Sequence, residues 1–166
     1  MSALEVVFWI ALGLIVYTHV GYPFLLRLLV SLRRSKRRPA PVTSHRPTVS
    51  LIIAAHDEED VIAGRLENAL ALDYPRDRLE IVVASDGSSD RTVELASAVA
   101  ARDQRVRVLD LPRRGKVRAQ DAAAESARGE ILAFSDANAF WESDALESLV
   151  RRFADSSVAF VCGQLR

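Results

Sequence analysis

The sequence contains one cysteine, Cys162, so its 166 residues cannot form an intramolecular disulfide. This scarcity favours a reducing compartment over an oxidising one. Cys162 closes the apolar run Val158–Cys162. We therefore expect it to be a small buried residue of a core strand rather than a reactive thiol.

The sequence also lacks net charge, but its charges are unevenly distributed. From Pro47 onward acids outnumber bases, whereas residues 31–46 contain bases and no acid. The bases of that short stretch are Arg33, Arg34, Lys36, Arg37, Arg38 and Arg46. An acidic domain repels phosphate unless a metal ion or a local Arg or Lys intervenes, so we expect no nucleic-acid partner.

Two common glycine-rich phosphate loops are missing. No G-x-G-x-x-G follows the apolar run Val49–Ala55, and Asp110 stands where a P-loop ending at Gly115-Lys116 needs its first glycine. A bound phosphate would therefore be held in another way. A divalent cation on carboxylate and amide oxygens, helped by Arg113, Arg114 or Lys116, would suffice.

An almost entirely apolar segment, Val6–Leu26, lies near the N-terminus. A helix needs about 20 such residues to cross a bilayer. A cleavable signal peptide would begin with basic residues, but residues 1–5 contain none. The bases that follow predict a single-pass anchor in the inner (plasma) membrane, with the N-terminus outside and the domain in the cytoplasm. Pro23 should kink this helix, and His19 is interpreted as a neutral residue near its end.

We divide the chain into a transmembrane helix at 1–30, a basic proline-containing linker at 31–47 and a globular domain at 48–166. Within the domain, strand-like apolar runs alternate with helical patterns, which predicts an α/β fold with a Rossmann-like, doubly wound, mostly parallel sheet. The expected strands are Val49–Ala55, Leu79–Ala84, Val106–Val108 at an edge or half exposed, Glu130–Ser135 covered on both faces, and Val158–Cys162. The expected helices begin with the acids of Asp57–Asp60, at Thr92, at Lys116 and at Ser143, and Gly129 is the expected C-cap of the third.

Polar clusters follow three of the expected strands: residues 55–58, 85–87 and 135–138. Ligands of doubly wound sheets bind at the carboxyl ends of strands, so we expect these clusters to form one site. For Asp136 and Asn138 two interpretations remain open. They are either turn formers or ligands that hold a cation against a phosphate.

The chain contains four motifs, across about residues 47–166: "PTVSLIIAAHDEEDVI", "EIVVASDGSSDRT", "RGKVRAQDAA" and "ILAFSDANAFW". Their order and spacing resemble those of the family 2 glycosyltransferases with the GT-A fold. The preceding "YTHVGYPFLL" and basic linker resemble its membrane-anchored bacterial members.

The resemblance implies a role for each matching residue. Ala55, Asp57 and Glu58 would border the nucleotide, and Asp86 would accept a hydrogen bond from the base. Lys116 would lie near the ribose and diphosphate. Asp136 and Asn138 occupy the family's D-x-D position, where they would bind Mg²⁺ or Mn²⁺. Structural alternatives remain open for Asp86 as a turn former and for Lys116 as a solvated lysine.

The resemblance further implies inverting transfer from a nucleotide sugar, with a UDP-sugar favoured, to a polysaccharide or glycolipid acceptor. The family's catalytic base lies after the fifth strand, so we expect it beyond Arg166 and expect this chain to be the N-terminal, donor-binding portion. Asn138 and Asp121 depart from the family's usual Asp and Asn. The alternative is a truncated, non-catalytic protein that binds nucleotide or associates with a membrane or partner. A dehydrogenase-like nucleotide binder would need the glycine fingerprint that is absent.

Overall fold

The computed structural model describes residues 2–32 and 46–163, which belong to two separate compact units. The first unit is helical: α1 is Ala3–Val16, a π-helical turn spans Tyr17–Gly21, and α2 is Tyr22–Leu32. Together Ala3–Leu32 is long and apolar enough to cross a membrane, by length and composition. The expected apolar helix is therefore present, and it extends two residues past the expected end at residue 30.

The π-helical turn lies directly before Pro23, where we expected a kink. Proline has no amide hydrogen to donate to the carbonyl oxygen of His19, so regular α-helical bonding cannot continue there. Thr18 Oγ1 donates to the Leu14 carbonyl oxygen at 2.8 Å, and His19 Nδ1 lies 3.0 Å from that of Ile15. Both polar side chains are thus satisfied by their own helix.

The second unit contains a parallel sheet of four strands in the order β3-β2-β1-β4. In chain order the elements are β1 Val49–Ala55, α3 Ile62–Leu70, β2 Leu79–Asp86, α4 Thr92–Ala100, β3 Val106–Leu111, α5 Lys116–Ser126, β4 Ile131–Asp136 and α6 Ala145–Val150. Short 3-10 turns occur at Arg76–Arg78 and Arg151–Ala154. The expected doubly wound α/β fold and the edge position of β3 are confirmed.

Helices cover both faces of the sheet. Alternate residues of β1 face opposite sides, so Leu51 and Ile53 pack with α3, α4 and α6, whereas Ile52 packs with Ala119 and Ala123 of α5. All three β1 residues are fully buried. This two-sided burial explains why β1 has no polar alternation in its sequence.

The expected fifth strand is wrong. Residues 158–163 form no strand, and Phe160 is 82% exposed. Cys162 is an exposed free thiol rather than a core residue. A strand exists only through its pairing, and this apolar run pairs with none of the four strands described.

The expectation that β4 is covered on both faces is also wrong. Leu132 is 41% exposed and Phe134 is 49% exposed, because β4 is an edge strand and no described helix packs on that side of it.

The expected C-cap role of Gly129 is wrong as well. Helix α5 ends at Ser126, and its C-cap Ala127 is extended. Gly129 is needed for a close approach instead: a Cβ at this position would lie 2.6 Å from Ser50 Oγ. The Gly129 amide donates to that oxygen at 2.7 Å, which holds the start of β4 against β1.

The acids of residues 57–60 do not begin a helix, contrary to our expectation, since α3 begins at Ile62. They form the loop after β1. The expected linker at 31–47 falls mostly on residues 33–45, which lie outside the described residues.

Candidate functional site

The carboxyl ends of β1, β2 and β4 meet at a pocket of about 170 Å³. Strand register brings them together, because Ala54 pairs with both Ala84 and Asp136. The pocket is lined by Ala54, Ala55, His56, Glu58, Asp86, Lys116, Asp136, Ala137 and Asn138. The site residues that the family resemblance implies therefore line one pocket, except Asp57. Arg113 and Arg114, the other candidates to hold a phosphate, do not line it.

Asp136 is the last residue of β4, and Asn138 follows two residues later, after the buried Ala137. Both line the pocket. The Ala139 amide donates to the Asp136 carbonyl oxygen at 3.3 Å, so this segment does form a turn. The Asp136 side chain is nevertheless 54% exposed and forms an ion pair with Lys116 Nζ. Turn geometry and an accessible carboxylate thus coexist here.

Asp86 is 7% exposed and holds the loop between β3 and α5. Its Oδ1 accepts the amides of Arg114 at 2.7 Å and Gly115 at 3.0 Å, and its Oδ2 also accepts the Gly115 amide at 3.0 Å. A carboxylate has about four acceptor positions, so roughly one remains for a ligand. Asp86 therefore has a structural role in addition to any contact with a base.

Gly87 brings the loop after β2 against the loop after β3. Its φ is +62°, and a Cβ added there would lie 2.7 Å from the Arg113 amide nitrogen and 2.8 Å from the Arg113 Cβ. Only glycine fits both the backbone conformation and the space. This contact and the Asp86 hydrogen bonds place Lys116 beside the pocket.

Asp57 connects loops rather than lining the pocket. Its Oδ1 accepts the Ser89 amide at 2.7 Å, and this hydrogen bond lowers the pKa of Asp57 below its ordinary value. Its φ of +53° is a conformation that Asp tolerates better than most residues. The expected border role for Asp57 stays a prediction, and the structure gives it a second role.

The backbone amides of the next two residues also connect this loop to the rest of the domain. The Glu58 amide donates to Thr92 Oγ1 at 2.8 Å, and the Glu59 amide donates to Asp90 Oδ2 at 3.0 Å. Asp90 Oδ1 also accepts the amide of Thr92, the first residue of α4, at 2.9 Å. These bonds hold the loop after β1 against the segment that leads into α4.

His56 is a pocket residue that we did not select from the sequence. Its Nδ1 lies 3.2 Å from Arg113 Nη1, and its Nε2 lies 3.4 Å from Asp57 Oδ2. It therefore bridges the loops after β1 and β3. Its position between Ala55 and Asp57, in the first polar cluster, was the available signal.

The pocket offers hard oxygen donors for a divalent cation. Asp136 supplies a carboxylate and Asn138 an amide oxygen, which are ligand types that Mg²⁺ and Mn²⁺ accept. Within the described residues no cluster of three or more His, Cys, Asp or Glu could hold a metal by itself. Two such donors leave most ligand positions of a cation to water or to a bound molecule.

The fold is that of the GT-A glycosyltransferases. The mannosyltransferase PcManGT from Pyrobaculum calidifontis, solved in complex with GDP-Man and Mn²⁺, superposes with a TM-score of 0.75 at 33% identity. The superposition covers 86% of this chain and 43% of that one. The profile described as Glycosyl transferase family 2 matches residues 50–166. The chain belongs to this family.

Two curated relatives support the assignment. Glycosyltransferase AglD of Haloferax volcanii is 35% identical over 124 residues, which are 72% of this chain and 20% of AglD. The beta-monoglucosyldiacylglycerol synthase of Trichormus variabilis is 34% identical over 118 residues, which are 69% of this chain and 25% of the synthase. The matched region spans between a fifth and a quarter of the length of these relatives.

Proposed function

We propose that this chain is the donor-binding portion of a membrane-anchored glycosyltransferase that takes a sugar from a nucleotide-sugar donor. The observation that carries the proposal is the meeting of Asp86, Lys116, Asp136 and Asn138 in one pocket of a family 2 domain. Asp86 ends β2, Lys116 begins α5, and Asp136 and Asn138 lie at the end of β4 and in the loop after it. Together they offer a hydrogen-bond acceptor, an ammonium group and hard oxygen ligands.

The base of the nucleotide would lie beside Asp86 and Ala55. The remaining acceptor position of Asp86 suits an N–H group, which uracil and guanine both present. We favour a UDP-sugar as donor, and a GDP-sugar is the comparison to make because PcManGT was solved with GDP-Man.

The diphosphate would lie between Lys116 and the end of β4. Asp136 and Asn138 would hold Mg²⁺ or Mn²⁺, which supplies charge stabilisation to the departing nucleoside diphosphate. Lys116 is paired with Asp136, so we propose that its ammonium group turns to the phosphates when the donor binds. This exchange replaces the pair between Lys116 and Asp136 with two others, Lys116 with a phosphate and Asp136 with the metal ion.

The transfer itself would invert the anomeric carbon. An acceptor hydroxyl attacks that carbon opposite the diphosphate, the bond to the phosphate oxygen breaks, and the hydroxyl proton passes to a general base. We assign that base to no residue of this chain. The pocket residues bind and orient the donor, which lowers the entropic part of the barrier.

The acceptor would be a glycan or a lipid-linked glycan at the inner membrane. The helix Ala3–Leu32 would anchor the domain there, and the bases between Arg33 and Arg38 support a cytoplasmic domain with the N-terminus outside. One relative is named beta-monoglucosyldiacylglycerol synthase, which supports a lipid acceptor.

Titration calorimetry on the full chain in detergent tests the proposal. UDP and GDP are titrated with Mn²⁺ and again with chelator, for the wild type, Asp136→Ala and Asp144→Ala. Asp144 is an exposed acid outside the pocket, so it controls for the loss of one negative charge.

We expect the wild type and Asp144→Ala to bind one nucleotide more tightly with Mn²⁺, and Asp136→Ala to lose that gain. A folded wild-type chain that binds neither nucleotide would refute the proposal and favour a non-catalytic interaction protein. Equal gains in all three proteins would show that Asp136 is not the metal ligand.

A further inference from the structure

Arg65 of α3 is fully buried, with no exposed surface at all. Within the described residues it forms no ion pair with a carboxylate. Burial lowers the pKa of Arg65 to about 10, so the guanidinium remains a cation at neutral pH. A buried cation normally needs a paired anion, and this one therefore requires an explanation.

The partners of Arg65 are neutral. Nη1 donates to Asn68 Oδ1 at 3.0 Å, and Nη2 donates to Ser135 Oγ at 3.1 Å. The guanidinium carbon lies 5.6 Å from the ring centroid of Trp141, within the range of a cation–π contact. Its Nε has no hydrogen-bond partner. A hydrophobic side chain would avoid these costs, so packing alone does not account for an arginine here.

Asn68, one turn further along α3, makes a matching contact. Its Nδ2 donates to the Trp141 carbonyl oxygen at 2.9 Å, and its Oδ1 accepts the Trp141 amide at 3.0 Å. The paired bonds fix the backbone of Trp141 as a neighbouring strand would. Arg65 and Asn68 are also bonded to each other, so they act as one unit.

The two side chains hold both ends of one segment, residues 135–141, which we call the metal loop. Ser135 is its first residue and Trp141 is its last, with Asp136 and Asn138 between them. The Ser135 hydroxyl, which accepts from Arg65, also donates to the Asp136 carbonyl oxygen at 3.2 Å. The contacts of Arg65 thus continue to the residue that carries the pocket carboxylate.

We propose that Arg65, together with Asn68, is a positioning residue that holds the metal loop so that Asp136 and Asn138 direct their oxygens to one cation. This inference rests on the proposed function, and it names the part of α3 that supports the site. Asn138 brings no charge to the metal, so binding there depends strongly on fixed geometry. Groups that orient ligands from behind typically change metal affinity about 10- to 100-fold.

The test compares Arg65→Met with Arg105→Met in the full chain. Methionine keeps an unbranched chain and removes every donor. Arg105 is the matched control, because its side chain is only 10% exposed and its main partner is Asp103, which does not line the pocket. If Arg65→Met does not fold, Asn68→Ala is used, since it removes both bonds to Trp141.

Two readouts are needed. The first is the gain in UDP or GDP affinity caused by Mn²⁺, measured by calorimetry against the same titration in chelator. We expect Arg65→Met to reduce this gain about tenfold, with affinity in chelator unchanged, and Arg105→Met to leave the gain unchanged. A purely structural role would lower the nucleotide affinity with Mn²⁺ and the affinity in chelator together, or would lower neither. Either result would overturn the proposal.

The second readout is amide hydrogen exchange of residues 137–141 without nucleotide. We expect faster exchange there in Arg65→Met, and not in Arg105→Met, even where both lower the melting temperature. Unchanged exchange in Arg65→Met would overturn the proposal. A wild type without any Mn²⁺-dependent gain would refute the proposed function instead, and exchange alone would then decide whether Arg65 holds this loop.

Discussion

Replacing Asp86 with alanine should destabilise the domain even when no ligand is bound. The carboxylate accepts three hydrogen bonds from the Arg114 and Gly115 amides, and it is 7% exposed. Alanine leaves two amides without their acceptor, at about 1–3 kcal/mol for each fully buried group. Because the loop is part-buried and water reaches it partially, we expect a total loss of about 2–4 kcal/mol.

Thermal unfolding followed by circular dichroism measures this loss. For a domain of this size the loss corresponds to a melting temperature lower by about 10 °C. Asp86→Asn keeps one acceptor oxygen but turns an amide NH₂ toward the loop, so it should give an intermediate decrease. Asp110→Ala, an exposed acid at the end of β3, is the control and should stay near the wild type.

The result decides how a binding defect is interpreted. If Asp86→Ala melts like the wild type, the hydrogen bonds to the loop are not stabilising and our account of Asp86 is wrong. If it melts lower, lost nucleotide binding cannot be assigned to a missing contact with the base. The loop that carries Lys116 would have moved as well.

Three further predictions follow from the structure. Gly87→Ala should lower the free energy of unfolding by about 2–3 kcal/mol, because of the positive φ and the clash with the loop after β3. Gly64→Ala is the control, since a Cβ there meets only ordinary contacts, and it should be neutral or stabilising. Urea unfolding measures both. Lys116→Ala should let Mn²⁺ bind without nucleotide, because the ion pair that occupies the pocket carboxylate is gone; calorimetry with metal alone that gives the same result as the wild type would contradict this. The hydrogen bond from Arg105 lowers the pKa of Asp103 to about 2 from an ordinary 3.8, so its stabilisation is complete above the ordinary value and is lost as the pH falls toward 2. Urea unfolding is measured from neutral pH into that acid range. Asp103→Asn should have a lower free energy of unfolding than the wild type at neutral pH, and it should lose less of that free energy in acid. If both proteins lost stability in parallel, the Asp103–Arg105 pair would not be the cause of the pH dependence.

The sequence was sufficient for the central strands because their burial is complete. β1 and β2 are buried on both faces, so their uninterrupted apolar runs had one reasonable interpretation. Their carboxyl ends then placed the polar clusters at one edge of the sheet, which is why most expected site residues line the pocket.

The sequence was insufficient wherever the local structure depended on contact with a second segment of the chain. The apolar run at Val158–Cys162 looked like a strand, yet pairing is a property of two segments and no described strand pairs with it. Gly129 looked like a helix cap, but the close approach of Ser50 is what requires glycine there.

Arg65 shows the same limit at the site. One arginine in an amphipathic helix normally indicates a solvated position. Its burial follows from the loop between β4 and α6 packing over α3, with Trp141 and Ser135 as partners distant in sequence. No local pattern contains that information.

The most direct test of the account is to locate the metal. NMR spectra of the isotope-labelled full chain are recorded with UDP or GDP while Mn²⁺ is added in small amounts, with Mg²⁺ as the diamagnetic reference. We predict that the amide signals of residues 136–138 and of Lys116 broaden first, and that they stay sharp in Asp136→Ala. Broadening centred on another part of the domain, or none at these residues with nucleotide bound, would contradict the claim that this pocket holds the metal and the donor.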